Sequence, residues 1–193
     1  MTKVDGRVAR GERTRQAVVE ALLALYGENK LTPTMDEIAS RVGMTSRTIY
    51  HHFDDQEAIA EAVREHQRPL IVHHLEAQVG GTLEERISGL VTQRAQLYER
   101  IAPVRRAALA NMHTSARIRK GQSGLAARSR RQLTTTFDPE LSSLDADRRA
   151  TTLELIDLHT SWETWERLRR WQRLSVAKAE ALVTLLVRDA LAG

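Results

Sequence analysis

Residues 34–53 (TMDEIASRVGMTSRTIYHHF) gather side chains suited to hydrogen bonding and charge pairing with a nucleic acid. They are Thr34, Thr45, Ser46, Arg47, Thr48, Tyr50, His51 and His52, with Gln56 just beyond. An arginine makes a forked contact to guanine or grips a phosphate, and Ser, Thr and Tyr hydroxyls bond base edges or phosphate oxygens. No acidic residue interrupts the stretch from Thr45 to Phe53. The competing reading is an ordinary helical hairpin with a polar outer face.

Two short helices joined by a tight turn are needed to present these groups. Thr34 follows Pro33 and precedes Glu37 by three residues, the spacing of a capping box, so a helix is expected from about Met35. Ile38, Ala39 and Val42 share its inner face, and Gly43 supplies the left-handed residue that ends it. Thr45 caps the second helix, in which Ile49 and Phe53 point inward at i, i+4 spacing. An upstream helix over 14–27, with Ala17, Val18, Ala21, Leu22 and Leu25 on one face, closes a three-helix core.

The run Ile38, Ala39, Gly43, Met44, Thr45, Ile49, Tyr50, His51, His52, Phe53 resembles the signature of the TetR (tetracycline-repressor-like) family of transcriptional regulators, and the resemblance covers about the first sixty residues. It implies an all-α homodimer: an N-terminal helix-turn-helix DNA-binding domain (1–54, including an N-terminal arm) and a C-terminal helical ligand-binding and dimerisation domain (55–193). About nine helices are expected. It also implies double-stranded DNA with a palindromic operator as partner, and a small-molecule effector. Two departures stand out. Where the family most often has a phosphate-gripping lysine this chain has Gln56 after Asp54 and Asp55, and Asp36 and Glu37 lie near the start of the first motif helix.

Composition agrees with a helical reading. The 193 residues contain four prolines and ten glycines, aromatics are 4% of the chain, and no cysteine is present to form a disulfide or thiolate metal site. Net charge is +4, a balance that suits a nucleic-acid partner. Lys3, Arg7, Arg10, Arg13 and Arg15, with Gly6 and Gly11 between them, are expected to form a basic arm that follows the DNA backbone or enters the minor groove; the alternative is a solvated tail. The sequence has neither a signal-peptide core nor a spanning apolar run, so a cytoplasmic protein with no membrane partner is expected.

Further along, Asp54 or Asp55 caps a fourth helix, which Pro69 is expected to kink or restart. Thr82 and Glu85 form a second capping box, and Pro103 is expected to end that helix and open another. A helix over about 117–137 follows, then a continuous one over 146–171 and a last one capped by Ser175. The stripe Leu155, Leu158, Trp162, Trp165, with Leu182 and Leu186 on the last helix, is expected to form a four-helix dimer interface; the competing role is completing the subunit's own core. The family resemblance puts an effector cavity among the later helices, with Leu97, Tyr98, Met112, His113, Phe137, His159 and Trp162 as candidate lining residues.

From Val104 to Arg131 lie Arg105, Arg106, Arg117, Arg119, Lys120, Arg128, Arg130 and Arg131 without an acid, either a wall for an anionic ligand or a solvated face. His66, His73 and His74 do not converge at metal-ligand spacing, so no metal or cofactor is expected. No GxSxG elbow, phosphate-binding glycine loop or HExxH pair occurs, and an enzyme is not expected. The expected function is a ligand-responsive transcriptional regulator, more readily a repressor. The alternative is a helical small-molecule-binding or sequestering protein with weak DNA binding.

Overall fold

The computed structural model describes residues 3–113 and 115–193, with the side chains of 3–5 and 7 outside that description. Among the described residues the fold is all helical: α1 Lys3–Gly27, α2 Met35–Val42, α3 Ser46–Tyr50, α4 Gln56–Glu76, α5 Leu83–Ala110, α6 Ala116–Thr136, α7 Asp138–Ser142, α8 Ala146–His159, α9 Trp162–Glu166 and α10 Val176–Ala192. A π-helical turn, Arg167–Trp171, continues α9.

Two compact units divide the chain. The first holds the chain as far as Pro69 together with Ile101–Gly121; the second holds Leu70–Arg100 and Gln122–Gly193. The first buries Val18, Leu22, Leu25, Ile38, Ile49, Phe53, Ile59, Val63 and Ala107 in one cluster, which includes Val18, Leu22 and Leu25 of the stripe expected for α1. In the second, Ile87, Leu90, Leu97, Leu133, Phe137, Leu141, Ile156 and Val187 are fully enclosed. This division differs from the functional boundary expected after residue 54.

Several elements differ from the sequence expectation. The stretch before residue 14 is helical from Lys3 despite its two glycines. Arg10 and Arg13 each donate from Nε to the carbonyl four residues back (Gly6 and Ala9, 3.3 and 3.2 Å), adding bonds along that turn. What was expected of Lys3 and Arg7 themselves lies outside the described side chains.

Pro69 is carried inside an unbroken α4; it is exposed, as is Glu65, whose carbonyl the proline leaves without an amide partner, so water can serve that oxygen. Pro103 likewise lies inside α5 and does not end it. An interior proline costs about 3 kcal/mol, but buried Ile101 and Ala107 flank it, and packing of that face outweighs the lost bond.

The helix expected over 146–171 is broken. Thr160 is 2% exposed, its hydroxyl bonds back to Ile156 O at 2.7 Å, and Ser161 starts a new helix by accepting from Thr164 N at 3.2 Å. Side-chain competition for backbone groups thus ends α8 within an apolar stripe that is otherwise periodic. α7 was not anticipated. The caps were: Thr82 with Glu85, Asp55 accepting from Ala58 N, and Ser175 accepting from Lys178 N all form.

Candidate nucleic-acid interface

The geometry of residues 34–53 follows from local chemistry. Thr34 Oγ1 accepts from Glu37 N at 3.3 Å while Glu37 Oε2 accepts from Thr34 N at 2.9 Å, so two otherwise unpaired amides are satisfied reciprocally. Lys30 also binds Glu37, and that contact, with the Thr34 amide, holds the exposed carboxyl below the usual carboxylate range. Glu37 is therefore spent on the cap. Gly43 has φ 75°, a conformation that costs other residues about 1 to 2 kcal/mol, and it turns the chain so that Met44 N reaches Ala39 O at 2.9 Å.

Thr45 then caps α3 by accepting from Thr48 N at 3.2 Å. Ile49 and Phe53 are enclosed in the first core, which fixes the face that α3 turns outward. The Arg15 guanidinium sits 4.2 Å from the Phe53 ring centroid and donates to His52 O, tying the end of the motif to α1.

The outward set separates into engaged and free groups. Arg47, Tyr50 and His51 are exposed, Tyr50 to 52%, and none has a partner among the described residues. The Thr45 and Thr48 hydroxyls bond one another at 2.9 Å. Ser46 donates its hydroxyl to Asp36, so a carboxylate from α2 does reach this surface. His52 is half-buried, its ring near Gly11 of α1. Gln56 donates to Pro33 O, linking the start of α4 to the loop before α2. The Asp36 contact was missed in the sequence because ten residues separate it from Ser46. Only the turn brings them together.

The expected dimer residues fall into two groups. Leu155 and Leu158 of α8 are exposed, Leu158 to 59%, and Leu182 and Leu186 of α10 are half-buried; Leu185, which was not among the expected residues, is exposed beside them, and α8 packs on α10. Trp162 and Trp165 are buried within the unit. Trp162 meets Tyr98 edge to face at 5.7 Å, and Trp165 Nε1 donates to Glu99 Oε1 at 2.9 Å.

Of the effector candidates, Tyr98, Phe137, His159 and Trp162 lie in the second unit, while Met112 and His113 lie on the turn after α5 in the first. Tyr98 donates its hydroxyl to Thr160 O at 2.9 Å, and Phe137 is enclosed with the Arg86 guanidinium 5.9 Å from its ring centroid. The basic run 104–131 is divided between the two units. Arg105 to Lys120 belong to the first unit and Arg128 to Arg131 to the second, where Arg128 pairs with Glu76 and Arg130 with Glu154 and Asp157. Among the described residues no helix is long and apolar enough to cross a membrane.

Residues 19–63 match the family model described as bacterial regulatory proteins, tetR family. The whole chain is similar in fold to a TetR-family transcriptional regulator from Streptomyces coelicolor, with TM-score 0.73 and 18% identity over 93% of this chain and 79% of that one. It is also similar to a structure assigned to the TetR-family transcriptional regulators from Mesorhizobium loti, with TM-score 0.61 and 18% identity over 95% and 97% of the two chains. No curated protein gives a match.

Proposed function

We propose, from the premise that the chain belongs to the tetR family of bacterial regulatory proteins, that it is a cytoplasmic repressor that binds a palindromic operator as a homodimer and is released by a small-molecule effector. The observation that carries this reading is the helix-turn-helix surface on which Arg47, Tyr50 and His51 are exposed and unengaged beside a fully formed turn. An exposed guanidinium, hydroxyl and imidazole on a capped helix fit base edges and phosphates of a major groove. Thr34, Thr45, Ser46, Thr48, His52 and Gln56 serve mainly by fixing the pose, since their polar groups or backbones are already tied within the head.

One head reads only a few base pairs. Two heads related by a twofold axis read inverted half-sites with centres about 34 to 36 Å apart, or at a related spacing on deformed DNA. The exposed leucines of α8 and α10 supply an apolar face for that pairing. A bound operator overlapping a promoter excludes polymerase, and an effector that favours a conformation with a different head spacing releases it.

The rival reading is a small-molecule-binding protein with weak DNA affinity, favoured by Asp36 on the reading surface and by Gln56 in place of a phosphate-binding cation. Selection from random duplexes at low ionic strength decides between them. Enrichment of an inverted repeat supports the regulator, and a pool that stays unenriched rejects it.

A further inference from the structure

The apolar stripe of α5 contains a cation. Ile87, Leu90, Val91, Leu97 and Tyr98 are all buried, and Arg94 stands among them at the same helical spacing, itself 3% exposed. A terminal nitrogen of Arg94 donates to Ser129 O on α6 at 3.1 Å, and its Nε has no partner.

The carboxylates of this unit that pair with arginines go elsewhere: Glu76 to Arg128, Glu84 to Arg188, Glu99 to Arg169, Glu140 to Arg86, Glu154 and Asp157 to Arg130, and Glu166 to Arg170. None reaches Arg94 among the described residues. A lone buried charge is costly, and a guanidinium cannot escape the cost by releasing its proton. One turn along α5, Tyr98 meets Trp162 edge to face and donates to Thr160 O, and the neighbouring His159 has a buried Nδ1 without a partner. The second unit thus holds a monovalent cation and, one turn along the same face of α5, an aromatic pair completed by α9, with a spare imidazole nitrogen at the end of α8.

We propose that Arg94 anchors the effector, and that the effector is a small monocarboxylate with an aromatic or apolar body. Nε and the adjacent terminal nitrogen of a guanidinium form the forked edge that takes both oxygens of a carboxylate, and that terminal nitrogen keeps a second N–H beside the one it gives to Ser129 O. A single cation matches one negative charge and leaves a dianionic phosphate half compensated. The Tyr98–Trp162 pair suits the apolar remainder of the ligand, and His159 Nδ1 suits a polar substituent on it. This inference rests on the ligand-responsive reading above and names the chemical class that such a ligand has.

The test uses the full chain and thermal unfolding with benzoate, 4-phenylbutyrate and octanoate, each beside its primary amide. The expected result is a Tm increase with at least one carboxylate and little with its amide, corresponding to a Kd about tenfold or more in favour of the acid. Arg94→Met removes that preference while folding as well as the parent, because a neutral chain of similar length replaces an unpaired buried charge. If Arg94→Met does not fold, Arg94→Lys, which keeps the charge and loses the fork, decides by the same Kd ratio. Equal responses to acid and amide, no response to any acid, or an unchanged preference in the variant would each overturn the proposal. Operator selection without ligand is run on the same samples. An operator-binding protein with no carboxylate preference rejects the effector class alone, whereas failure to select an operator rejects the regulator reading and leaves the ligand measurement to stand by itself.

Discussion

At the scale of single residues, the reading surface is defined as much by what is already engaged as by what is free. Arg47 has no intramolecular partner among the described residues, so its loss removes nothing from the fold and tests the proposed contact with DNA alone. Arg47→Ala is expected to cost about 1 to 3 kcal/mol of operator affinity, with relaxed preference at one base position, as measured by fluorescence anisotropy on matched and substituted duplexes. Gln56 is different because its amide holds Pro33 O. Gln56→Lys exchanges that tie for a cation at the start of α4. The expected outcome is tighter binding at low salt and a salt dependence steeper by about one unit of slope, read from affinity against log salt concentration. An unchanged slope would show that no phosphate lies within reach of position 56.

At the scale of elements, helix ends are set by capping groups, and cross-links between elements by buried charge. Arg86 of α5 donates to both oxygens of Glu140 on α7, at 2.7 and 2.6 Å, and also to Thr136 O at 2.7 Å. The Arg86 guanidinium therefore holds the Glu140 carboxyl below its ordinary 4.5. Folding favours the charged carboxylate, so this stabilisation is fully present above 4.5 and is lost as pH falls through the depressed folded value. Glu140→Gln is expected to lower stability at neutral pH by about 1 to 2 kcal/mol and to flatten the loss of stability on acidification, measured by denaturant unfolding across pH. A variant with the parent's acid-side profile would show that the pair does not govern it.

At the scale of the whole molecule, the proposed regulation depends on two copies acting together, and the apolar face of α8 and α10 is where that proposal can be broken. Leu158 is 59% exposed, so a charge placed there meets water in a single subunit but would be buried in the proposed pair. Leu158→Glu is expected to leave the subunit folded and convert a dimer to a monomer by light scattering. Apparent operator affinity should then fall by about tenfold or more, since one head makes only half the contacts. A variant that remains dimeric would place the subunit interface elsewhere.

Sequence alone determined the features that are local in the chain: the capping box at Thr34 and Glu37, the left-handed turn at Gly43, the cap at Thr45, the inward pair Ile49 and Phe53, and the helical class of the fold. Each depends on residues within a turn or two, where spacing fixes geometry. Tertiary structure decided everything in which burial or distant partners compete with local preference. It carried α5 through Pro103 because apolar packing outweighed a missing amide, and it ended α8 at Thr160, beyond which Trp162 packs on Tyr98 and Trp165 bonds Glu99. It brought Asp36 against Ser46 across the turn. The position of Arg94 in an apolar stripe was legible from its spacing, but that it has no acid beside it depends on where Glu140, Glu154 and Asp157 find their own arginines, and only the folded chain assigns those partners.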